Sequence, residues 1–543
     1  MHTIIFCVRS FKHHVALSLG VTMVIAAFIA MSVSGCGSSN TSGSSSTSSS
    51  TNSAAPGPVY GGVVRNGISP PTTLDPHFIS STPEIKIIHQ IYDWLIVLDA
   101  NNEPTPSLAT EWKMAPNGMT WTFTIRDDVK FSDGTPLTVD DIVYSFNRMR
   151  DPKIGAATAT LYQGIETIDA PDATHVVFHL NRANPEFVKD VADYHSAIIS
   201  RSVKDPATEF LGSGPFMVQQ YRPEDRMVLV KNPSYWGKDE NGKTLPYLDG
   251  ITFIFGAEPG PLVDGLLGGQ LDFVPDLSFE LTQKVKANPG FGLIISHSNW
   301  SLSVHLRSDE GHPAHDPRIR LALRMGTDYQ GLIDLVRPGL AVVGNGTIVG
   351  PTYGAYYWDH KPVYDPEGAK KLLAEAGYAP PNGFQMKLYC MTNFDSVGLA
   401  TVWKEQMSKI GVTVNINPVP ETVYYSDSGE AAYLKCDFGM TDWANRPTPA
   451  VYFNMAYVTD APWPESHWSD AEFDKTVVAI NSELNAKKRA ELYYKAQKIL
   501  WERGPVVMMA IEDSVAATVG TLKGVFVPLD SNQTTFARAY FAK

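Results

Sequence analysis

The segment Gly237–Thr244 satisfies the pattern G-x-x-x-x-G-K-T, which in nucleotide-binding proteins holds phosphates with backbone amides and a lysine. Such a loop must follow a buried strand and open a helix, but Asn232–Trp236 precedes the segment and Leu245-Pro246 follows it. The carboxylates of Asp239 and Glu240 would also repel phosphate groups. We therefore interpret the segment as an exposed turn and predict no nucleotide site.

Two pairs of histidines have spacings at which a metal ion could be bound. His312 and His315 lie just before Asp316, and His175 and His179 share one face of a predicted strand. Because Asp316 is placed to cap the following helix, the first pair is better explained as solvated or structural. The same interpretation fits the second pair, so we predict no metal site and no cofactor.

The common hydrolase signatures G-x-S-x-G, H-E-x-x-H and S-x-x-K do not occur in the sequence. Paired catalytic carboxylates have no characteristic spacing, so the missing motifs lower the odds of an enzyme without excluding one. A hydrolase with its active site in a cleft therefore stays the alternative from another functional class.

The composition excludes one class of partner and leaves another open. The net charge is −13 and no block of Lys or Arg occurs, so nucleic-acid binding is not expected. Aromatic residues make up 11% of the chain, which favours stacking surfaces or a lined cleft, although a large aromatic core would have the same composition. Cys390 and Cys436 are far apart in sequence, which leaves their pairing open.

The amino-terminal region indicates export and attachment to a membrane. Arg9 and Lys12 precede an apolar run, Val15–Val33, and a serine-rich tract follows Cys36. Val33–Cys36 resembles the bacterial lipobox, which implies that residues 1–35 are a signal peptide and that Cys36 carries lipid. An uncleaved membrane anchor and a soluble secreted form are the alternatives. Residues 36–57 are predicted to form a flexible tether.

Periodicity and capping patterns in the rest of the chain predict alternating strands and helices, typical of an α/β fold. Strands are predicted at Thr120–Arg126, Thr174–Leu180, Met227–Val230, Ile251–Phe255, Gln385–Tyr389, Val412–Ile416, Val515–Val519 and Gly524–Val527. Helices are predicted to start at Thr138, Asp316-Pro317, Asp365-Pro366 and the capping box Ser469–Glu472, and a long helix covers Ala486–Arg503. A body of about 485 residues is expected to hold two or three domains.

Several separated motifs carry a resemblance to a known family. They are Glu111-Trp112, Thr120–Thr138, Asp140–Ser145, Gly212–Phe216, Asn232–Trp236, Gly269–Asp272 and Asp316–Leu323. On these motifs the body closely resembles the family 5 extracellular solute-binding proteins, which are the oligopeptide, dipeptide and nickel receptors of ABC importers. The resemblance implies an α/β, two-lobed periplasmic-binding-protein fold of type II, with an extra subdomain in lobe one. It places lobe one at 58–304 and 515–543, and lobe two at 305–514.

The resemblance also implies a function. The chain is expected to be a receptor and not an enzyme, enclosing a peptide or peptide-like ligand between its lobes and delivering it to an ABC permease. A periplasmic or cell-surface location, a lipid anchor and a monomeric state are expected. An oligosaccharide, an opine-like acid or a nickel chelate stays an alternative ligand.

In peptide-binding members, an aspartate in a loop of lobe two holds the amino terminus of the peptide. The matching loop is Gly439–Pro449, where a gapless alignment places Trp443 at the acidic position, with Asp442 before it and Arg446 after it. Asp442 serves as the anchor if the alignment shifts slightly, whereas Arg446 otherwise offers a cation that favours a carboxylate or another anion. All three residues are predicted to contact ligand. A turn-capping carboxylate and a surface salt bridge are the alternative roles of the two charged residues.

Further ligand contacts are predicted in segments that approach the cleft in relatives. In lobe one these are Ser80, Ser81 and Thr82, for which ordinary loop solvation is the alternative. In lobe two an aromatic cluster follows Gly350-Pro351, and core packing would explain it equally well. Its members are Tyr353, Tyr356, Tyr357 and Trp358, and Trp300 near the crossing between the lobes is a weaker candidate.

Overall fold

The structure is a computed structural model, and it describes residues 57–156, 159, 161–256, 258–392, 395–426, 428–529 and 533–543. The predicted signal peptide, Cys36 and the tether up to residue 56 lie outside the described residues. Within the described part, no helix combines the length and the apolar composition needed to cross a membrane.

Strands and helices are distributed along the whole described chain. The strands are β1 (Val63–Ile68), β2 (Ile96–Leu98), β3 (Pro104–Pro106), β4 (Ala109–Met114), β5 (Thr120–Ile125), β6 (Ile165–Asp172), β7 (His175–Leu180), β8 (Phe216–Arg222), β9 (Arg226–Lys231), β10 (Gly250–Phe255), β11 (Phe273–Val274), β12 (Phe291–Leu306), β13 (Ala341–Val342), β14 (Phe384–Met391), β15 (Val412–Val419), β16 (Phe438–Trp443), β17 (Val506–Val519), β18 (Leu522–Lys523) and β19 (Tyr540–Phe541). The helices are α1 (Thr82–Ile91), α2 (Val139–Arg150), α3 (Phe187–Asp190), α4 (Pro259–Leu267), α5 (Phe279–Lys286), α6 (Pro317–Met325), α7 (Tyr329–Val336), α8 (Pro366–Glu375), α9 (Ser396–Ser408), α10 (Glu421–Tyr424), α11 (Pro449–Tyr452), α12 (Ala471–Ser482) and α13 (Ala486–Arg503).

One large mixed sheet organises the fold. Its order is β15-β14-β16-β12-β17-β11-β1-β10-β9-β8, with β13 paired to β17. β14 is parallel to β15 and β16, and β1 is parallel to β10, whereas β12 is antiparallel to both of its neighbours. A separate four-stranded sheet has the order β4-β5-β7-β6, and β2 with β3 and β18 with β19 form two-stranded sheets.

Two long strands join the two sides of the large sheet. β12 has 16 residues and β17 has 14, and they pair with each other at its centre. We call the side with β1 and β8–β11 lobe one, and the side with β14–β16 lobe two. The pairing shifts register between Ser296 and Trp300 and between Leu302 and Ser303. Such bulges bend a strand, so the crossing is irregular where the lobes meet.

Separate hydrophobic cores lie in the two lobes, as expected for a chain too long for one core. The lobe-one cores include Ile88, Ile251 and Phe253, and, under the four-stranded sheet, Phe123, Phe146 and Phe178. The lobe-two cores include Leu306, Leu388 and Trp403, and, around α12 and α13, Tyr452, Phe473 and Tyr493. The four-stranded sheet with its own core is an additional unit within the first part of the chain.

Most of the helix signals in the sequence are confirmed. Thr138 caps α2, and its hydroxyl and N–H both donate to the Asp141 carboxylate (2.8 and 2.9 Å). Asp316 and Asp365 accept backbone N–H groups at the starts of α6 and α8. Gly377 follows α8 with φ +95°, the left-handed conformation that glycine adopts without strain. The range predicted for α13 is the observed one.

Two local predictions are wrong. The capping residue of α12 is Asp470 and not Ser469, because the Asp470 carboxylate accepts the N–H groups of Glu472 and Phe473. Gly524–Val527 forms no strand. β18 ends at Lys523, and the left-handed φ of +71° at Gly524 interrupts the extended backbone.

Candidate ligand-binding site

Two tyrosine hydroxyls fix the loop that follows β16. Tyr353 Oη donates to the backbone oxygen of Arg446 (2.7 Å), and the Arg446 N–H lies 3.2 Å from Tyr353 Oη and 3.1 Å from Tyr452 Oη. Tyr452 Oη also donates to the backbone oxygen of Ala444 (2.9 Å). Both tyrosines are buried, so the backbone that carries the Arg446 side chain has a defined position.

The Arg446 guanidinium lies among aromatic rings from both lobes. Its central carbon is 5.1 Å from the ring centre of Tyr194 in lobe one, and 5.5 and 5.9 Å from those of Trp443 and Trp463 in lobe two. Burial lowers the pKa of Arg446, but the Tyr194 oxygen and the Asp193 carboxylate outweigh burial and raise it above its ordinary value. Arg446 is therefore a buried, charged side chain at the join between the lobes.

Asp442 and Trp443 point to opposite faces of β16, because successive side chains of a strand alternate. Trp443 is buried, and its ring centre lies 5.6 Å from that of Tyr452. Asp442 is half-buried and accepts a hydrogen bond from Tyr425 Oη (2.6 Å). Burial raises the pKa of Asp442, and the Tyr425 hydrogen bond only partly offsets that rise. Trp443 therefore lines the Arg446 side of the strand, and Asp442 belongs to the other face.

One edge of β16 has no strand neighbour next to this loop. β12 pairs with β16 over Phe438–Trp443, but β14 pairs only with Phe438, Gly439 and Met440. Among the residues that the structure describes, Thr441–Trp443 has no ladder partner on the β14 side. An extended backbone can add to such an edge as a further strand, which is one general mode of peptide binding.

Buried polar contacts join the two lobes near the loop. Glu186 of lobe one accepts a hydrogen bond from Tyr493 Oη of lobe two (2.7 Å) and lies 3.8 Å from the Arg489 guanidinium. The Tyr356 hydroxyl accepts hydrogen bonds from Arg489 Nε and Nη2 (3.2 and 3.1 Å). We call Glu186, Tyr356, Arg489 and Tyr493 the Glu186 cluster. It holds α13 of lobe two against the start of α3 in lobe one.

A second interlobe contact involves the loop itself. Asn102 Nδ2 in lobe one donates to the backbone oxygen of Pro447, the residue after Arg446 (2.8 Å). A groove of about 530 Å³ opens beside this contact. Its lining includes Lys189 from lobe one and Tyr494 from lobe two. The groove therefore connects solvent with the join between the lobes.

Comparison with known families decides what kind of protein has this site. The family model of bacterial extracellular solute-binding proteins, family 5 (Middle), matches residues 103–465, which is more than half of the chain. The chain belongs to this family. It is therefore an extracytoplasmic solute-binding receptor of the kind that delivers ligands to ABC permeases, and not an enzyme. The alternative of a cleft hydrolase has no support.

The family 5 receptor is similar to proteins with several kinds of ligand. The glutathione-binding protein GsiB of Salmonella typhimurium is 25% identical over 484 residues, covering 85% of this chain and 91% of the relative. DppA from Helicobacter pylori, solved with the peptide STSA, matches with a TM-score of 0.77 and 22% identity, covering 89% of this chain and 99% of that one. NikZ from Campylobacter jejuni, solved with Ni(L-His), has a TM-score of 0.75 and 18% identity, covering 85% and 95%. These matches confirm the α/β, two-lobed type II fold.

In this receptor Ser80, Ser81 and Thr82 form the start of α1. The Glu84 carboxylate accepts the N–H groups of Ser80 (2.8 Å) and Ser81 (2.9 Å), so the segment is organised as a capped helix end. Both contacts lie within lobe one. Ligand binding by these three residues stays a prediction.

The aromatic cluster after Gly350-Pro351 is divided between different environments. Tyr353 holds the Arg446 backbone and Tyr356 belongs to the Glu186 cluster. Tyr357 is half-buried, and burial raises its pKa. The backbone N–H of Trp358 donates to Gln497 Oε1 of α13 (3.1 Å). Tyr353 is thus the member placed at Arg446, and ligand contact by all four aromatic residues stays a prediction.

Trp300 lies on the crossing strand β12 and is buried against the core of lobe two. Its ladder partner is Glu512 of β17, a buried acid 3.3 Å from Arg337. Burial raises the pKa of Glu512 to about 7, and nearby carboxylates, including that of Asp442, contribute to the rise. Ligand contact by Trp300 stays a prediction, and the structure adds Glu512 as a titratable group at the crossing.

Sequence reasoning did not find several side chains that surround Arg446 and Glu186. Tyr194 and Asp193 come from lobe one, Trp463 and Tyr452 from segments after the loop, and Tyr493 from α13. Nothing in the spacing of Asp193 and Tyr194 relates them to Arg446, because the contact exists only between lobes.

The histidine pairs singled out in the sequence contact protein groups. Ring nitrogens of His312, His315, His175 and His179 lie close to Asp437 (2.7 Å), the Ser308 carbonyl (3.0 Å), Asp172 (2.9 Å) and Asp169 (3.1 Å), respectively. In the described ranges, no three His, Cys, Asp or Glu side chains are arranged to hold a metal ion. The structure thus gives each of these histidines a structural partner.

Two further sequence questions are answered by the structure. Gly237–Thr244 closes on itself through a bridge between Lys238 and Thr244, and the next element is the strand β10 and not a helix, which confirms the turn interpretation. Cys390 and Cys436 are both buried, free cysteines. Burial raises the pKa of the Cys436 thiol to about 12, so it is not a thiolate at neutral pH.

A pH prediction follows from Glu465, which is buried beside His305 (3.6 Å). Burial, with a contribution from the Asp442 charge, raises the pKa of Glu465 from 4.5 to about 8. The folded state therefore binds a proton more tightly than the unfolded state, so stability is full below pH 4.5 and falls as pH rises towards 8. The glutamine of Glu465→Gln does not titrate, so we expect the free energy of unfolding of this variant to fall less over this range than that of the wild type. The difference between the two proteins should be about 1.4 kcal/mol per pH unit.

Urea unfolding at about pH 5 and about pH 8 measures this difference. Glu405→Gln, at an exposed position of α9, is the matched control and should follow the wild type. Parallel pH profiles for wild type and Glu465→Gln would show that Glu465 is ionised in the folded protein.

Proposed function

We propose that the receptor captures a peptide or peptide-like ligand between its lobes and delivers it to an ABC permease, while a lipid on Cys36 keeps it at the membrane. The observation that carries this proposal is the free edge of Thr441–Trp443 next to the join between the lobes. An extended ligand backbone that pairs with this edge replaces the hydrogen bonds it loses on leaving water.

The interlobe contacts support enclosure of the ligand. Glu186 with Tyr493, and Asn102 with Pro447, can form only when the lobes are close together. Closure of this kind is a common response to ligand in two-lobed proteins. We propose the lobe boundaries 58–304 with 515–543 for lobe one, and 305–514 for lobe two, with a monomer as the functional unit.

The relatives support a peptide-like ligand, since one is named for glutathione and another was solved with the peptide STSA. An oligosaccharide, an opine-like acid and a nickel chelate are the alternatives. Native mass spectrometry of the purified protein, with any co-purified ligand retained, is the direct test. A thermal-shift screen of di- to pentapeptides, glutathione, opine-like acids, oligosaccharides and nickel–histidine follows, because a bound ligand raises the melting temperature. Stabilisation by an alternative class alone would overturn the peptide proposal.

The lipid anchor leads to a separate prediction about Cys36, which lies outside the described residues. Cys36→Ala should reduce ligand uptake by cells several-fold or more, because an untethered receptor loses its high local concentration at the membrane. The dissociation constant of the purified protein should not change. Mass spectrometry of the mature wild type should find a lipid-modified Cys36 at the amino terminus, whereas a retained 1–35 segment would contradict the lipoprotein.

A further inference from the structure

Arg446 is a buried cation with unsatisfied hydrogen-bond donors. It is 5% exposed, and its Nε and Nη1 have no hydrogen-bond partner. In the described part of the chain, no carboxylate oxygen lies within 4.0 Å of its guanidinium. Its pKa is above the ordinary value, so the side chain is charged. Tyr194 and the Asp193 carboxylate stabilise the charge, but they leave the Nε and Nη1 donors without an acceptor. Buried N–H donors that make no hydrogen bond are unfavourable unless a ligand supplies the acceptor.

The guanidinium groups of the other buried arginines in the described chain donate to carbonyl or carboxylate oxygens. Arg320 donates to the carbonyls of Ala314 and Arg503, Arg324 to that of Gly504, Arg337 to the Asp395 carboxylate, and Arg489 to the carbonyl of Glu483. Arg324 has two nitrogens without a hydrogen-bond partner and Arg337 has one. Burial lowers the pKa of Arg324 to about 9, opposite to the shift at Arg446, and Arg337 is paired with the Asp395 carboxylate. Among these residues, Arg446 alone donates to no carbonyl or carboxylate.

A second unsatisfied group lies next to Arg446. Asn445 is 5% exposed, and its Oδ1 is buried without a hydrogen-bond partner, while its Nδ2 donates to the Arg446 backbone oxygen (3.3 Å). The site thus has free donors on Arg446 and a free acceptor on Asn445. A carboxylate matches the first and an amide N–H matches the second. The last residue of a peptide carries both groups.

The free edge of β16 indicates how an extended ligand would be oriented. Thr441–Trp443 leads directly to Asn445 and Arg446, so a ligand extended along this edge has one end at the guanidinium. The Asp442 carboxylate accepts a hydrogen bond from Tyr425 and points to the face opposite Trp443, so it does not neutralise Arg446 by contact. The end of the ligand that reaches Arg446 should therefore be its negative end.

We propose that Arg446 determines the polarity of the bound ligand: its guanidinium binds the terminal carboxylate of an extended peptide-like molecule, and Asn445 accepts the last amide N–H. This inference rests on the proposed function, because it assumes a ligand that lies along β16. A free carboxyl end is required and a free amino terminus is not. The ligand orientation is opposite to the one that an acidic anchor in this loop would impose.

The test compares ligands that differ only at one end, measured by isothermal titration calorimetry on the purified protein. The probes are Ala-Ala-Ala, its carboxyl-terminal amide, N-acetyl-Ala-Ala-Ala, glutathione and glutathione monoethyl ester. In the wild type, amidation or esterification should weaken binding at least tenfold, whereas N-acetylation should weaken it less than threefold. Equal affinities for acid and amide, or a larger loss on acetylation, would overturn the proposal without any mutant.

Variants of Arg446 give an independent readout. In Arg446→Gln the ratio of acid to amide affinity should fall to about one, and Arg446→Lys should keep part of the preference, since lysine retains the charge but not the bidentate geometry. Arg222→Gln is the control, because Arg222 is an exposed arginine of β8. An unchanged preference for the acid in Arg446→Gln would overturn the proposal.

A wrong proposed function would give a different experimental result from a wrong role of Arg446. If none of the peptide-like probes binds, the ligand class is wrong, and Arg446 is then tested with succinate, citrate and lactate against their methyl esters in a thermal-shift assay. Stabilisation by the acids that disappears in Arg446→Gln keeps Arg446 as a carboxylate-binding residue. No acid-dependent stabilisation in that assay would overturn its assignment as well.

Discussion

Replacing Glu186 by alanine should weaken ligand binding by about thirty- to hundredfold. The Glu186 carboxylate accepts the Tyr493 hydroxyl (2.7 Å) and faces the Arg489 guanidinium (3.8 Å) across the join between the lobes. Its removal leaves a buried cation and a buried hydroxyl underpartnered in the closed form only, at a cost of about 2–3 kcal/mol. Each 1.4 kcal/mol against closure weakens the apparent affinity about tenfold.

Titration calorimetry with the tightest ligand from the screen measures the affinity, and small-angle X-ray scattering measures the radius of gyration. Glu186→Ala should be more open than the wild type at equal ligand concentration. Glu111→Gln is the matched control, because Glu111 is an exposed acid of β4 within lobe one. A Glu186→Ala protein with wild-type affinity would show that the Glu186 cluster does not contribute to closure.

Trp403→Ala should remove about 3–5 kcal/mol from the free energy of unfolding. The Trp403 side chain is fully buried in the lobe-two core, and its Nε1 donates to Thr327 Oγ1 (2.8 Å). The substitution therefore leaves a large cavity and also removes a buried hydrogen bond. Trp403 lies in a different core from the residues around Arg446, so a folded variant should bind ligand normally.

Urea unfolding monitored by circular dichroism measures the loss. Val478→Ala is the control, since Val478 of α12 is 63% exposed and should change stability by no more than about 0.5 kcal/mol. A loss below about 1 kcal/mol for Trp403→Ala would mean that the core around α9 repacks around the missing ring.

Helix-capping and helix-ending patterns were sufficient to predict several of the helices. The Thr138 cap, the Asp316 and Asp365 helix starts and the Gly377 stop depend on residues within one turn of each other, so their patterns are readable in the sequence. The capping box at Ser469 was wrong for a non-local reason. Arg503, far along the chain, bonds to the Asp470 carboxylate and helps to place it at the helix start.

The site was only partly predictable. Arg446, Trp443 and Tyr353 were predicted because the loop and the aromatic cluster could be aligned with a family, and the structure brings them together. Their contact with ligand stays a prediction. The counter-charge of Arg446 could not be judged from sequence, because it depends on which carboxylates from distant segments approach within about 4 Å. Tyr194, which contacts Arg446, and Glu186, which contacts Tyr493, both belong to lobe one. These contacts with lobe two require the closed arrangement of the lobes. The raised pKa of Glu465 likewise depends on burial that no local pattern encodes.

The contact between Asn102 and Pro447 has a consequence for inhibition. Pro447 directly follows Arg446, so the loop proposed to bind the ligand carboxylate also accepts the Asn102 hydrogen bond that joins the lobes. A carboxylate compound with a bulky substituent near Pro447 could occupy the loop while keeping Asn102 away. The protein would then be occupied but held open, and the compound would act as an antagonist that starves the permease of its cargo.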